Sequence, residues 1–278
     1  MMISFRVTAL GVLCTTLGLG TARADIAAGI AALEQGDAEA AAQQFQTSFE
    51  NGEADGAFYL GRMFELGLGT QPDITQAAEL YKAAAARESA LAMNRLGLMY
   101  LDGQGVIRDF TVGAELICKA AEKGEANAQF NCGAAHDEGR GVAQDTALAI
   151  SYWEKASEQG HIAATNFLGL SYKTGDGVAA DPARAYALFS RTAEQGNPMG
   201  LYELALAYDS GEGPADGVDP VKAYTYANIA AARAHPEAPA LRDRIEAGLT
   251  TEQVTEGQAA AREWIAATEA LISGASGN

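Results

Sequence analysis

Positive charge, cysteine and long apolar runs are all scarce in this chain. Of its 278 residues, 19 are Lys or Arg and 36 are Asp or Glu, so we expect nucleic acid and anionic lipid to repel it. Three cysteines are too few for a disulfide scaffold. Beyond the first two dozen residues, no apolar stretch is long enough to cross a bilayer. These shortages count against nucleic-acid binding and membrane insertion, and they favour basic partners or simple solubility.

The first 24 residues have the pattern of a signal peptide. Arg6 supplies positive charge, residues 7–20 are apolar, and residues 22–24 (Ala-Arg-Ala) resemble a cleavage site. A membrane anchor is the alternative, but the apolar stretch is too short to span a bilayer. We therefore predict that residues 1–24 are removed and that the mature protein is periplasmic or secreted. Without Arg6 and Arg23 its net charge is 17 − 36 = −19.

A 36-residue pattern recurs five times through the middle of the chain. Each copy contains a leucine-like residue, then two glycines two residues apart, then an aspartate, which a two-residue insertion displaces in the fifth copy. A fixed period of this length indicates stacked units that bury their apolar faces against one another. The leucine-like positions are Leu60, Leu96, Cys132, Leu168 and Leu204, the first glycines are Gly67, Gly103, Gly139, Gly175 and Gly211, and the aspartates are Asp73, Asp109, Asp145, Asp181 and Asp219.

The fourth copy indicates that each unit is an antiparallel helix pair. Its first half carries one apolar stripe at helical spacing, formed by Ala164, Phe167, Leu168 and Tyr172. Gly175 is then expected to end the helix in the left-handed conformation. Asp181 caps a second helix that begins at Pro182. We therefore predict a positive φ at all five of the first glycines.

The string Leu96-Gly97-x-x-Tyr100-x-x-Gly103-x-Gly105-Val106 resembles the Sel1-like repeat, a relative of the tetratricopeptide repeat. This resemblance implies an all-α fold, a right-handed α/α superhelical solenoid of tandem helix pairs with terminal capping helices. The predicted units are 53–88, 89–124, 125–160, 161–196 and 197–235. Residues 25–52 are predicted to form an N-terminal capping helix pair, residues 236–272 the C-terminal capping helices and residues 273–278 a disordered tail. A capping box at residues 250–253 opens a last helix through Trp264.

Motifs for catalysis, cofactors or metals are missing. The G-x-G pairs follow helices and lack the third glycine of a dinucleotide site. None of the six lysines has a serine three residues before it, so the serine–lysine nucleophile of β-lactam-processing enzymes is missing. His136, His161 and His235 fall in separate units, and we predict no metal site. The prediction is a non-enzymatic protein without a cofactor. The alternative is a β-lactamase-like or peptidoglycan-binding envelope protein, as described for some exported members of the family.

The residues leave a disulfide between Cys118 and Cys132 open. The two residues flank the Gly124 turn almost symmetrically, so antiparallel helices would bring them level, and an oxidising compartment permits the bond. Against it, Cys118 occupies an outward-looking slot and Cys132 a core slot. Neither matches the cysteine positions of the disulfide-bonded members of the family.

By analogy with tetratricopeptide repeats, the first helix of each unit is expected to line a concave face that binds a protein partner. Phe58, Phe130 and Tyr202 are the predicted anchors. Carboxylates at the ends of the first helices, where the helix dipole disfavours negative charge, would form an acidic rim that selects a basic segment of an envelope or membrane protein; solvation is the alternative. The chain is predicted to act as a monomeric scaffold or regulatory adaptor. The candidate face comprises Asp55, Phe58, Arg62, Glu65, Asn94, Leu98, Asn127, Phe130, Asp137, Asn166, Leu170, Lys173, Tyr202 and Asp209, and the rim adds Asp102 and Glu138.

Overall fold

The computed structural model describes residues 26–275, which form fourteen α-helices and no strand. The predicted all-α solenoid of tandem helix pairs is confirmed. No helix in this range combines the length and the apolarity needed to cross a bilayer. The helices are α1 (Ile26–Glu34), α2 (Ala38–Glu50), α3 (Asp55–Leu66), α4 (Ile74–Ala86), α5 (Ala90–Asp102), α6 (Phe110–Glu122), α7 (Ala126–Glu138), α8 (Thr146–Glu158), α9 (Ile162–Thr174), α10 (Pro182–Glu194), α11 (Pro198–Ser210), α12 (Pro220–Ala232), α13 (Ala238–Glu246) and α14 (Thr251–Ala275).

The boundaries of the helices depend on the repeated glycines and aspartates. The first glycine of every copy caps the first helix with φ between 66° and 78°, so the predicted left-handed caps are confirmed. Each recurring aspartate accepts a hydrogen bond from the backbone N–H three residues later and so begins the second helix. A first helix and a second helix therefore alternate from α3 to α12.

Glycines on the first helices make room for large side chains of the second helices. A Cβ on Gly133 would lie 2.6 Å from Trp153 Cδ1, and one on Gly61 would lie 2.6 Å from Tyr81 Cε1. Trp153 and Tyr81 are fully buried, so these contacts fix how closely the two helices of a unit approach. In the fifth copy, Ala205 takes the place of the glycine.

Two residues other than glycine occupy the slot that ends a second helix. Gly124, Gly160 and Gly196 have positive φ there, and Glu88 and Ala234 have φ of 68° and 61°. A residue with a Cβ is strained in this conformation by about 1–2 kcal/mol. The period therefore imposes one backbone geometry even where the sequence departs from glycine.

Each end of the solenoid is covered by a pair of helices that lies outside the five repeats. At the N-terminal end, α1 and α2 pack together and α2 contacts α3; the predicted signal peptide lies outside the described residues. At the C-terminal end, α13 and α14 both pack on α12. The capping box is present, because the Thr250 backbone N–H donates to Gln253 Oε1 (2.9 Å) and the Gln253 N–H donates to Thr250 Oγ1 (3.3 Å).

The last helix is longer than the sequence analysis predicted. It continues beyond Trp264 to Ala275, because residues 265–272 are rich in strong helix formers and Thr268 is buried. The tail predicted to be disordered from residue 273 is therefore helical as far as Ala275, and residues 276–278 lie outside the described range.

Candidate functional site

The first helices form a continuous face, which we call the first-helix face, because side chains on successive first helices contact one another. Arg95 on α5 binds Glu65 on α3, and Asn131 on α7 donates to Asn94 on α5 (3.0 Å). Further along, Lys173 on α9 binds Glu203 on α11 (2.6 Å). These contacts hold neighbouring units in register along the solenoid.

The three predicted aromatic anchors all lie partly buried on this face. Phe58 packs against Tyr59 and Tyr81. Phe130 stacks on His161, with ring centroids 4.8 Å apart, and Tyr202 stacks on His235 at 4.2 Å. Each anchor is therefore held in place by rings that belong to its own or to a neighbouring unit.

His161 and His235 occupy equivalent positions before the first turn of the next helix. His161 Nδ1 accepts a hydrogen bond from the Ala164 backbone N–H (3.1 Å), which makes this ring the N-cap of α9. Burial lowers the pKa of both histidines, although nearby carboxylates oppose the shift. The direction of the shift agrees with the hydrogen bond from Ala164, which requires His161 Nδ1 to act as an acceptor.

Asn94 and Asn166 alternate with the aromatic anchors in the repeat, and the structure buries both side chains. They are 8% and 3% exposed. Asn166 donates to Asn197 Oδ1 (3.0 Å) and accepts from Thr192 Oγ1 (2.8 Å). Their placement on a partner-binding surface was therefore wrong. Amide groups at these positions can be buried because each is hydrogen-bonded across a helix interface.

Most of the predicted acidic rim is neutralised by the chain itself. Glu65 binds Arg62 and Arg95 and accepts from Tyr81 Oη (2.5 Å). Burial raises the pKa of the Glu65 carboxyl, but the hydrogen bonds from Arg95 and Tyr81 outweigh this effect, so its pKa is lower than usual. Asp102 faces Arg140 at 3.8 Å, and Asp209 binds Arg244 at 2.7 Å.

Two rim carboxylates are not neutralised in this way. Asp137 and Glu138, at the end of α7, form no ion pair with any residue in the described part of the chain. Negative charge is unfavourable at a helix C-terminus. Of the five predicted rim carboxylates, Asp137 and Glu138 are therefore the two whose charge is not balanced by an ion pair in the described part of the chain.

The remaining predicted residues have mostly structural contacts. Asp55 accepts a hydrogen bond from Ser89 Oγ (2.6 Å). Leu98 and Leu170 are partly buried against the core. Asn127 is exposed, and its side chain donates to the neighbouring Glu125 carboxylate (2.7 Å). These contacts position the first helices.

Phe167, a member of the apolar stripe predicted for α9, is the most accessible aromatic residue near the predicted anchor Phe130. The residue is 41% exposed. It makes an edge contact with Phe130 at 5.5 Å and packs over the buried Trp153 at 5.3 Å. We call Phe130, His161 and Phe167 the central aromatic cluster. The available signal was the periodic slot itself, which elsewhere holds Tyr59, Arg95, Asn131 and Glu203.

Cys118 and Cys132 form a disulfide, with Cα atoms 5.0 Å apart. Cys118 is only half-buried and packs beside the core, so the slot that the sequence analysis described as outward-looking faces α7 closely enough for the bond. This disulfide joins α6 of the second unit to α7 of the third unit.

Comparison with known proteins identifies the repeated unit. The Sel1 repeat model matches residues 54–89, 90–125, 126–161, 162–197 and 198–235, each starting one residue later than the predicted unit. The chain resembles the crystal structure of a Sel1 repeat protein from Oxalobacter formigenes, with 25% identity, a TM-score of 0.73, and coverage of 89% of this chain and 97% of that one.

Two further solved structures are similar. One is a putative Sel1 repeat protein from Klebsiella pneumoniae, with 21% identity, a TM-score of 0.48, and 74% and 99% of the two chains covered. The other is c5321, a protective antigen of uropathogenic Escherichia coli, with 20% identity, a TM-score of 0.48, and 86% and 68% covered. No curated protein matches the chain.

Sel1 repeat proteins generally mediate protein–protein interactions, and their fold is typically a non-catalytic scaffold. The five consecutive matches span the helix pairs α3 to α12. The chain therefore belongs to the Sel1 repeat family.

Proposed function

We propose that this protein is a non-enzymatic adaptor that binds a segment of another protein on its first-helix face, around α7 and α9. The observation that carries this proposal is Phe167, which is 41% exposed in a slot that holds half-buried or buried side chains in the other four units (Tyr59, Arg95, Asn131 and Glu203). An exposed aromatic ring on a rigid support is the type of residue that anchors protein interfaces.

The central aromatic cluster is supported from below and from one side. The Trp153 indole N–H donates to the Phe130 carbonyl oxygen (3.2 Å), and Trp153 lies beneath the Phe167 ring. His161 stacks on Phe130 and caps α9. Because these rings are already ordered, a partner loses little conformational freedom of the adaptor on binding.

The chemistry of the partner depends on the charge beside this cluster. Asp137 lies seven residues after Phe130 on α7, which is about two helical turns or roughly 10 Å along the same side of the helix. We propose that the partner is a peptide segment that places an apolar side chain on Phe130 and Phe167 and a lysine or arginine beside Asp137 and Glu138. The excess of acidic residues in the whole chain (36 against 19) would favour the approach of such a segment.

The site of action belongs to the proposal as well. Residues 1–24 have the composition of a cleaved signal peptide, so we propose that the adaptor acts in the periplasm or outside the cell, as a monomer. Rapid turnover of a chromogenic β-lactam by the purified protein would contradict the non-enzymatic assignment and favour a β-lactamase-like envelope protein.

The experiment uses a matched pair of phenylalanines. Phe110, at the start of α6, is also 41% exposed, but it contacts Arg108 and Arg140 and lies outside the central aromatic cluster. A photo-crosslinking residue at position 167 should capture one partner in the native host, whereas the same residue at position 110 should not. The partner's affinity is then measured with purified variants.

We expect Phe167→Ala to weaken binding by about 1–2 kcal/mol and Phe110→Ala to leave it unchanged. Asp137→Asn should lower the dependence of the affinity on salt. Circular dichroism checks that each variant is folded. Binding that is equally strong with Phe167→Ala and Phe110→Ala, and indifferent to salt in the wild type, would show that the partner uses another surface.

A further inference from the structure

The disulfide has a histidine beside it. The Sγ atoms of Cys118 and Cys132 and a ring nitrogen of His136 all lie within 4.8 Å of one another. Cys132 is fully buried, and the other two residues are half-buried. Cys132 and His136 are four residues apart on α7, so they share one side of the helix. The sequence analysis predicted no metal site and missed this spacing.

A hydrogen bond to a backbone carbonyl fixes the tautomer of His136. Its Nδ1 lies 3.2 Å from the Ala143 carbonyl oxygen. A carbonyl oxygen can only accept a hydrogen bond, so Nδ1 carries the proton and the free lone pair is on Nε2. A backbone carbonyl bound to the other ring nitrogen is the usual support of a metal-ligating histidine. The parallel ring of Tyr152, with its centroid 6.1 Å away, packs beside the imidazole.

Three departures from the repeat meet at this point. Cys132 replaces the leucine of the other four units. His136 stands where they have Phe64, Tyr100, Tyr172 and Tyr208, and Cys118 stands where they have Lys82, Glu154, Ser190 and Asn228. A disulfide alone accounts for two of these changes. The disulfide does not explain why a histidine occupies a slot that holds phenylalanine or tyrosine in the other four units.

We propose that, when the disulfide is reduced, Cys118, Cys132 and His136 bind one Zn²⁺ ion, with water as the fourth ligand. Thiolates and imidazole are the ligands that zinc prefers, and three protein ligands with one open position form a known type of zinc site. A tetrahedral site needs sulfur atoms about 3.8 Å apart. The Cα separation of 5.0 Å is compatible with this spacing once the S–S bond is broken.

The two states exclude one another because they use the same sulfur atoms. An external dithiol supplies two electrons and two protons, which convert the disulfide to two thiols while the dithiol becomes oxidised. Zn²⁺ then displaces both thiol protons and accepts the lone pair of the neutral His136 imidazole, so that binding releases two protons. The metal takes over the link between α6 and α7 that the disulfide provides.

The test measures metal binding by oxidised and reduced protein. Reduced protein, kept free of disulfide with a phosphine, is titrated with Zn²⁺, and with Co²⁺ as a spectroscopic substitute. We expect one Zn²⁺ per chain, the release of two protons, and a thiolate-to-cobalt charge-transfer absorption. Oxidised protein should show none of these. A reduced protein without the cobalt absorption, or zinc uptake that is independent of the redox state, would overturn the proposal.

His136→Ala separates this site from a simple pair of thiols. Loss of an outer-shell partner typically costs about 10–100-fold in metal affinity, so loss of the ligand itself should cost at least about 100-fold. His235→Ala is the control and should bind Zn²⁺ like the wild type. The oxidised form of His136→Ala keeps its disulfide, which allows its fold to be checked by circular dichroism. If the reduced wild type loses helicity, the addition of Zn²⁺ should restore it. Failure to restore the helicity would contradict the proposal. So would an affinity of reduced His136→Ala for Zn²⁺ equal to that of the wild type.

Discussion

The same aromatic-on-histidine stack occurs twice in this solenoid, and its surroundings differ. In the middle, Phe130 stacks on His161 and the exposed Phe167 extends the apolar surface. Near the C-terminal end, Tyr202 stacks on His235. The Tyr202 hydroxyl there donates to Glu237 at 2.9 Å, at the start of the capping helix α13.

The comparison shows which features the two stacks share and which depend on the neighbouring residues in each place. In both places an aromatic ring on a first helix stacks on the histidine that precedes the next helix but one, α9 or α13. The residues next to the stack decide whether it is accessible. At the C-terminal end, α13 adds the Asp209–Arg244 ion pair and seals the last unit. In the middle, Phe130 has no hydroxyl group to form the equivalent of the Tyr202–Glu237 hydrogen bond, and Phe167 beside it stays 41% exposed.

Beneath the central stack, Gly133→Ala should have the largest effect on stability. Alanine has the higher helix propensity, but its Cβ would overlap the Trp153 indole, and overpacking of this kind typically costs about 1–3 kcal/mol. Urea denaturation measures the change in the free energy of unfolding. The control is Ala205→Gly, the same slot near the C-terminal stack, which should cost only about 1 kcal/mol through helix propensity. A stabilised Gly133→Ala would show that the indole moves freely.

Ala234→Gly should stabilise the protein by about 1 kcal/mol. Ala234 has a φ of 61° and directly precedes His235, whereas Gly160, with a φ of 85°, directly precedes His161. Glycine relieves the strain of the left-handed conformation. Gly160→Ala is the reverse control, because no atom lies within 4 Å of the position of its Cβ, and it should destabilise by a similar amount. Thermal unfolding of both variants tests whether the two turns are equivalent.

Tyr202→Phe should weaken the C-terminal seal by about 0.5–1 kcal/mol, because it removes the hydrogen bond to Glu237 and keeps the stacked ring. Phe130→Tyr makes the opposite exchange in the middle and should have little effect. Amide hydrogen exchange in α13 is the sharper measurement: faster exchange is expected only in Tyr202→Phe. Equal exchange in both variants would mean that the hydroxyl contributes nothing to the seal.

The smallest effect should come from acidification. Burial lowers the pKa of His161 and His235, so the native state binds fewer protons than the unfolded state. The stability of the neutral rings is present above the unfolded pKa of about 6.5 and is lost as the pH falls below it. His161→Asn and His235→Asn should each reduce the decrease in unfolding free energy between about pH 7.5 and pH 5.5. Asn197 shows that asparagine caps a helix at this slot.

The period predicted the helices well because each boundary depends on a local signal. Glycine at residue 175 and aspartate at residue 181 act through the backbone of their own turns. The candidate site depends on contacts between residues about 30–39 positions apart, such as Glu65 with Arg95 and Asp102 with Arg140. These basic partners vary from unit to unit. The sequence alone therefore located the carboxylates at the helix ends but did not show which of them form ion pairs within the chain.

Phe167 and Asn166 illustrate the same limit. Phe167 belongs to the predicted apolar stripe and Asn166 to the predicted binding face, yet Phe167 is 41% exposed and Asn166 only 3% exposed. The asparagine can be buried because Thr192 and Asn197 satisfy its amide, and both partners belong to other helices. A protein-binding role of Phe130 and Tyr202 therefore remains a prediction. Phe167 is added to the candidate face because of its exposure in the structure.

The Cys118–Cys132 bond has a mechanical consequence. It joins two adjacent units, since α6 ends one and α7 begins the next. If the two ends of the chain were pulled apart, the units on either side could unravel one at a time, but this junction could not lengthen. The bond withholds a segment of 14 residues, which releases roughly 40–45 Å of extended chain once the 5.0 Å that already separates the two Cα atoms is subtracted. A single-molecule stretching trace should therefore be shorter by that length than one recorded after reduction.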